Sequence, residues 1–322
     1  MIVKNNFQIA QNLWYKIGGE VKYFLECISR KDIEEALNFI KEKNIEKVFI
    51  CGMGSNLIFT DDYFDGCVIQ ISADPNNKDI IINQEGLVEA YAGESLDSVI
   101  NFAFERNLIG LEWAGGLPGT VGAAVRGNVG AYGGEIKDSL FAATVLDYSS
   151  GTPQIRRMTR DALAFVYRGS LIKENKKMIV ISAEFNLKED QESEITVSRE
   201  VYKKNIQLRQ DNHPLEYPNC GSVFKNLRDP EQIARVLSVY PEFKDDVAQK
   251  WHGKIAVASV IEKLGLKGFR VGDAQVSEKH ALFIVNLGHA KAKDVLEIID
   301  TIQKKFQEKF GFQLETEVEI VK

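Results

Sequence analysis

Gly115-Gly116-Leu117-Pro118-Gly119-Thr120-Val121-Gly122, followed after four intervening residues by Gly127-Asn128-Val129-Gly130-Ala131-Tyr132-Gly133-Gly134, is the stretch on which the reading of this chain turns. Nine of the 25 glycines fall between Gly110 and Gly134. Each glycine in an element interior costs ordering entropy, so this density is not expected of an ordinary core strand or helix. It is expected where the backbone must approach a bound group closely. Upstream, Gly52-Met53-Gly54-Ser55-Asn56 forms a second glycine turn after the apolar run Val48-Phe49-Ile50. N–H groups in such turns form concavities that accept an anion such as a pyrophosphate. Ser55, Asn56, Thr120 and Asn128 add short polar side chains able to bond phosphate or ribityl oxygens. Glycine loops that are merely mobile are the alternative on residue chemistry alone.

The upstream turn is not the dinucleotide fingerprint. Leu57 stands in the third glycine position, and Ile58-Phe59-Thr60 continues as strand where the fingerprint opens a helix. No Gly-Lys-Ser/Thr follows, so it is no Walker loop either. Further out, Ser29 is a plausible cap for a helix with Ile33, Ala36, Leu37 and Ile40 on one face, and Ser95 for one with Leu96, Val99, Ile100 and Ala103. The polar run Lys188-Glu189-Asp190-Gln191-Glu192-Ser193-Glu194 reads equally as a domain boundary or a hairpin turn, with a helix beyond it through Tyr202 and Leu208. Near the carboxyl end Val295, Leu296, Ile299, Ile302, Phe306 and Phe310 predict a long helix stopped by Gly311. Leu314, Thr316, Val318 and Ile320 alternate with Glu315, Glu317 and Glu319 as in a half-buried strand.

The 322 residues suit two or three domains. Forty Lys and Arg against 46 Asp and Glu leave a net charge of -6, with no global pull toward nucleic acid or acidic lipid. Cys27, Cys51, Cys67 and Cys220 form no C-x-x-C pair, and with four histidines neither a disulfide framework nor a zinc site is expected. The amino terminus lacks an apolar leader segment and no stretch reaches the ~18 apolar residues of a bilayer span, so a cytoplasmic location is expected.

Motifs in order along nearly the whole chain resemble the UDP-N-acetylenolpyruvoylglucosamine reductases. They run from Ile17-Gly18-Gly19, Gly52-Met53-Gly54-Ser55-Asn56-Leu57, Leu117-Pro118-Gly119-Thr120-Val121-Gly122 and Asn128-Val129-Gly130-Ala131-Tyr132-Gly133 to Tyr167-Arg168-Gly169-Ser170. Gly221-Ser222-Val223-Phe224-Lys225-Asn226, Val276-Ser277-Glu278-Lys279-His280-Ala281 and Leu314-Glu315-Thr316-Glu317-Val318 complete the set. The chain departs from the family pattern at Asn12-Leu13-Trp14-Tyr15-Lys16, Ala123, Gly127 and Cys220, which touches individual cofactor contacts. The interval from Tyr167 to Ser222 looks like the shorter subclass, without a substrate-covering insertion.

The resemblance implies an α+β chain with an FAD-binding fold of the vanillyl-alcohol-oxidase type in two subdomains, residues 1–70 and 71–198. A C-terminal α+β substrate domain, 199–311, would follow, and the strand within 312–322 would return to the first. It implies that FAD is held by Gly52, Gly54, Ser55, Asn56, Leu57, Pro118, Gly119, Thr120, Gly122, Asn128, Gly130, Tyr132 and Tyr167. It also implies that NADPH drives reduction of an enolpyruvyl ether of a UDP-sugar to the lactyl ether of UDP-N-acetylmuramate, for the bacterial cell wall, with hydride from flavin N5. Adding hydride to the alkene leaves an enolate-like charge beside the substrate carboxylate. Arg168 suits that charge, because guanidinium stays cationic and grips a carboxylate in two places. Glu317 is implied beside the enolate, with a raised pKa if it is buried there. Ser222 is implied as proton donor, and Arg209, Lys225 and Asn226 as contacts of the nucleotide sugar. Residues 1–212 contain no histidine, which excludes a histidyl link to the flavin there. A monomer acting on a small molecule, with no metal, nucleic acid or membrane partner, is expected. An oxygen-using FAD oxidase of the same fold, and a flavin- or nucleotide-sugar-binding protein without turnover, are the competing readings.

Overall fold

The computed structural model describes residues 1–190 and 192–322. The chain forms two compact units. The first comprises Met1–Phe7, Val21–Met53 and Phe64–Asp211; the second comprises Gln8–Glu20, Gly54–Tyr63 and Asn212–Lys322.

In the first unit a four-stranded sheet runs in the order Ile2–Gln8, Glu20–Cys27, Phe64–Ile71, Val48–Cys51. Phe64–Ile71 is parallel to both of its neighbours. Parallel neighbours need a crossover, and the helix Arg30–Glu42 follows Glu20–Cys27. Ser29 caps that helix as its sequence predicts, accepting the Asp32 N–H at 3.3 Å, and Ile33, Ala36 and Leu37 are buried. A five-stranded antiparallel sheet follows in the order Gln154–Thr159, Leu140–Asp147, Met178–Phe185, Val88–Tyr91, Ile80–Ile82. The helix Leu96–Phe104, capped by Ser95, also contributes to this unit, and one continuous apolar core joins these elements.

Two sequence expectations change here. The glycine-rich stretch holds a seven-residue helix, Val121–Gly127, so its density does not exclude regular structure. Thr120 caps this helix and Asn128 ends it in the left-handed conformation, φ 42°. The polar run 188–194, read as a domain boundary or a hairpin turn, lies inside the first unit, which continues to Asp211. Lys188–Glu189 pairs antiparallel with Leu108–Ile109, and the helix Glu192–Asn212 begins just beyond; Gln191 of that run lies outside the described residues.

The second unit holds the antiparallel strands Arg270–Val271, Ala274–Val276 and Ile284–Asn286, packed with the helices Pro230–Val239, Val257–Lys263 and Ala292–Phe310. Gly311 ends the last helix at φ 75°, as the sequence predicts. The alternating tail is regular strand only over Glu319–Val321, which pairs parallel to Leu57–Phe59. Ahead of it, Thr316 makes a single bridge to Phe224.

Candidate active site

Within the first unit the two glycine loops meet. A Cβ placed on Gly52 would lie 2.4 Å from Thr120 Oγ1, and one on Gly122 would lie 2.9 Å from Ala92 Cβ. Gly52 is further tied down by the Gln70 amide, which donates to its carbonyl at 3.1 Å. Several glycines of the stretch are therefore small because the protein itself presses on them: Gly115 against the Tyr202 carbonyl and Gly134 against the Trp113 ring. Gly133, with φ 92°, meets nothing within 4 Å.

Tyr167 and Arg168 occupy a tight turn closed by paired bonds between Val166 and Gly169, 3.1 and 3.2 Å. Arg168 itself is left-handed, φ 59°. Its Nη2 donates to the Gly130 carbonyl at 2.8 Å, while the Lys173 ammonium donates to its own carbonyl at 2.7 Å. Asn128, wholly buried, donates from Nδ2 to the Val166 carbonyl at 3.0 Å and to Glu135 at 3.1 Å, and its Oδ1 accepts the Lys137 N–H at 3.2 Å. Asn128, Gly130, Val166 and Arg168 thus form one hydrogen-bonded group, with Tyr167 inside the turn. Asn128 spends its amide on holding the turn that presents the arginine.

Tyr132, Gly116 and Arg209 form a neighbouring group in the same unit. The Tyr132 hydroxyl is a hydrogen-bond partner of the Arg209 guanidinium, and a Cβ on Gly116 would lie 3.4 Å from Arg209 Cδ. Burial pulls the Arg209 pKa down, and the Tyr132 phenol works against that shift.

In the second unit Ser222 and Glu317 come from two segments bonded to each other. The Glu317 N–H donates to the Val223 carbonyl at 2.8 Å, and the Lys225 N–H to the Glu315 carbonyl at 3.0 Å. A third segment joins them. Asn56 Nδ2 donates to the Glu317 carbonyl at 3.3 Å, the Glu319 N–H donates to the Asn56 carbonyl at 3.2 Å, and Gly221, φ 76°, has the Ser55 carbonyl 3.8 Å from its Cβ position. The proposed donor, the proposed acid and the Ser55-Asn56 turn are therefore one local structure. Ser222 and Glu317 are both half-buried, whereas Cys220 and Val223 are fully buried, and burial pushes the Cys220 thiol up to about 12.

The remaining sequence candidates are placed less directly. Lys225 pairs with the exposed Glu315 carboxylate. Asn226 Oδ1 accepts the Val257 N–H at 3.1 Å, at the start of the helix Val257–Lys263. Sequence reasoning gave no role to Trp113 or to the turn at His280. The Leu282 carbonyl accepts the N–H of Val223, directly after Ser222, at 2.9 Å, and His280 Nδ1 accepts the Leu282 N–H at 3.3 Å. The signal for that turn was present as the motif Val276–Ala281; a backbone contact leaves no residue-type signature by itself.

The glycine-rich region fits an acceptor-rich cofactor in one observable way: two buried donors, Trp113 Nε1 and Arg209 Nε, have no protein partner among the described residues. Residues 21–155 match the model of an FAD binding domain. The chain is a flavoprotein oxidoreductase with FAD as its cofactor, built on the FAD-binding α+β fold that its motifs led one to expect.

Residues 213–321 match the model for the C-terminal domain of UDP-N-acetylenolpyruvoylglucosamine reductase. The protein of that name from Clostridium novyi is 35% identical over 319 residues, covering 99% of this chain and 92% of its own. The one from Caldicellulosiruptor saccharolyticus is 38% identical over 307 residues, covering 95% and 88%. The crystal structure of the Thermus caldophilus reductase superposes with a TM-score of 0.74 at 28% identity, covering 100% of both chains. The chain belongs to the UDP-N-acetylenolpyruvoylglucosamine reductase family, whose members serve peptidoglycan synthesis. Among the described residues no helix is long and apolar enough to cross a membrane.

Proposed function

We propose that this chain reduces UDP-N-acetylglucosamine enolpyruvate to UDP-N-acetylmuramate, with NADPH as the electron source. Bound FAD supplies the two-electron chemistry. The side chains must orient the enolpyruvyl group, carry the charge that develops on it and deliver one proton.

The observation that carries the reading is the bonded crossing of residues 223–225 with 315–318, which sets Ser222 and Glu317 on adjoining segments beside Ser55 and Asn56. Ser222 donates the proton to the carbon next to the substrate carboxylate. A serine hydroxyl is a weak acid, but an enolate-like carbon is a strong base, so geometry decides. Glu317 holds the enolate through a hydrogen bond. Arg168 stabilises the same charge, its turn held rigid by Asn128 and Lys173. Gly52, Gly54, Ser55, Asn56, Leu57, Pro118, Gly119, Thr120, Gly122, Gly130, Tyr132 and Tyr167 hold FAD. Lys225 contacts the nucleotide sugar, and Asn226 supports it through the helix it starts. The functional domains 1–70, 71–198 and 199–311 belong to this proposal, as do a monomeric state and a cytoplasmic location; the four buried free thiols are in keeping with the latter.

The test is an anaerobic titration of the yellow protein. NADPH is expected to bleach the flavin, and the enolpyruvyl nucleotide sugar to restore its colour without oxygen. Restoration by oxygen alone would favour an oxidase, and no bleaching would favour a binding protein.

A further inference from the structure

Ser222 sits between two residues whose backbone is tied down by different partners. On its carboxyl side the Val223 N–H donates to the Leu282 carbonyl at 2.9 Å, and the Val223 carbonyl accepts the Glu317 N–H at 2.8 Å. On its amino side stands Gly221, φ 76°, in a left-handed conformation and with no side chain to limit its rotation. A Cβ there would meet nothing closer than the Ser55 carbonyl at 3.8 Å, so packing does not hold it. The Asn219 side chain does: its Oδ1 accepts the Gly221 N–H at 3.0 Å. Asn219 is 4% exposed. Its Nδ2 donates to the Tyr217 carbonyl at 2.9 Å and to the Pro214 carbonyl at 3.3 Å. Its backbone bridges Val285 of the strand Ile284–Asn286, and the adjacent Pro218 carbonyl accepts the Asn286 N–H at 2.9 Å. The amide cannot turn without breaking bonds in a buried place, where an unmade bond is costly.

We propose that Asn219 is a positioning residue for proton delivery: by clamping the Gly221 N–H it fixes the backbone from which the Ser222 hydroxyl projects. The inference rests on the reading of Ser222 as proton donor and adds the group that aims it. The bond is the local kind that asparagine makes to the N–H two residues on. It acts on Gly221, and through it on the serine next in the chain. Leu282 and Glu317 anchor the chain just beyond the serine, and the clamp at Gly221 completes the frame from the other side. A serine hydroxyl is a weak acid, so its transfer depends on aim, and a misplacement of ~1 Å at a reacting group can slow a step ~10²-fold.

Asn286, in the adjoining strand, shows what an asparagine with a purely structural task looks like here. It is 2% exposed. Its Oδ1 accepts the Gly288 N–H at 2.9 Å and the Ala290 N–H at 3.0 Å, and its Nδ2 donates to the Tyr15 carbonyl at 3.4 Å. Asn286 is as buried and as fully bonded as Asn219, but its acceptor holds a turn that leads to the helix Ala292–Phe310 and away from Ser222.

The experiment follows the flavin of the holoprotein under anaerobic stopped flow, with urea denaturation of each variant alongside. Asn219→Ala and Asn286→Ala are expected to lose stability alike, and NADPH is expected to bleach both at the wild-type rate. Asn219→Ala alone of these two is expected to slow restoration of the colour by saturating enolpyruvyl nucleotide sugar, by about ten- to a hundredfold. In a Ser222→Ala background the same change is expected to add almost nothing, because both substitutions remove one function. Asn219→Ser, whose hydroxyl can accept the Gly221 N–H, is expected to recover most of the rate. Gly221→Ala, strained at φ 76°, disturbs the same hinge and is expected to slow the same step, so the test stands even if Asn219→Ala does not fold. A wild-type restoration rate in folded Asn219→Ala or in Gly221→Ala overturns the inference. So does equal slowing in Asn286→Ala, or a slowing by Asn219→Ala that persists in full on top of Ser222→Ala. Restoration at the wild-type rate in Ser222→Ala alone overturns the reading of the serine itself, and the inference with it.

Discussion

Asn128 shows how a residue can serve a site through the turn it holds. Its amide is used on Val166, Glu135 and Lys137, and its φ of 42° is one that asparagine tolerates better than most residues. Replacing it with alanine removes these bonds from a wholly buried position. Asn128→Ala is expected to cost about 2–4 kcal/mol in urea denaturation. It should also lower kcat, because the turn bearing Arg168 loses its brace; unaltered stability would contradict this. The motif resemblance disclosed Arg168, Ser222 and Glu317 as candidates, and a cation, a hydroxyl and a carboxylic acid suit an enolate. The bracing contacts were not legible, because they run through backbone carbonyls that carry no identity in the sequence.

His280 yields a second residue-scale expectation. Burial lowers its pKa below 6.5, and its Nδ1 is further committed to the Leu282 N–H. The unfolded chain therefore takes up the proton first as pH falls. Its stabilising contribution is whole above about pH 6.5 and fades as the pH drops toward the folded value. The melting temperature of wild type is expected to fall more steeply between pH 7 and pH 5 than that of His280→Gln, by no more than ~1.4 kcal/mol per pH unit. Parallel curves would show that the histidine is not buried neutral.

At the scale of elements, helix caps were read most faithfully. Ser29, Ser95 and Gly311 stand where the periodicity begins or stops, since capping chemistry is local. The glycine stretch was read less well. Its composition announced close approach, but Gly122 and Gly134 are pressed by Ala92 and Trp113, contacts between residues distant in sequence. The tail was also over-read as strand. Alternation between Leu314 and Ile320 reflects sidedness, while regular pairing is confined to Glu319–Val321. Asn226 tests the element view. Asn226→Ala should lose about 1 kcal/mol of stability through the unpaired Val257 N–H, and Asn226→Asp should retain it. If alanine changes only substrate affinity, the asparagine does not act through the helix.

At the scale of the molecule, each unit has a core built from non-consecutive stretches: Tyr15, Ile17 and Ile58 pack in the same cluster as Val223, Phe224 and Val318. The order of motifs made the family legible without that knowledge, while the interleaving of stretches was not, because no residue announces a distant core partner. The central claim is that Ser222 supplies the proton in the second half of the reaction. It is tested most directly by following the flavin of Ser222→Ala under anaerobic stopped flow. NADPH should bleach it at the wild-type rate, and the enolpyruvyl nucleotide sugar should then restore the colour ~10²–10⁴ times more slowly than in wild type. Restoration at the wild-type rate would contradict the account.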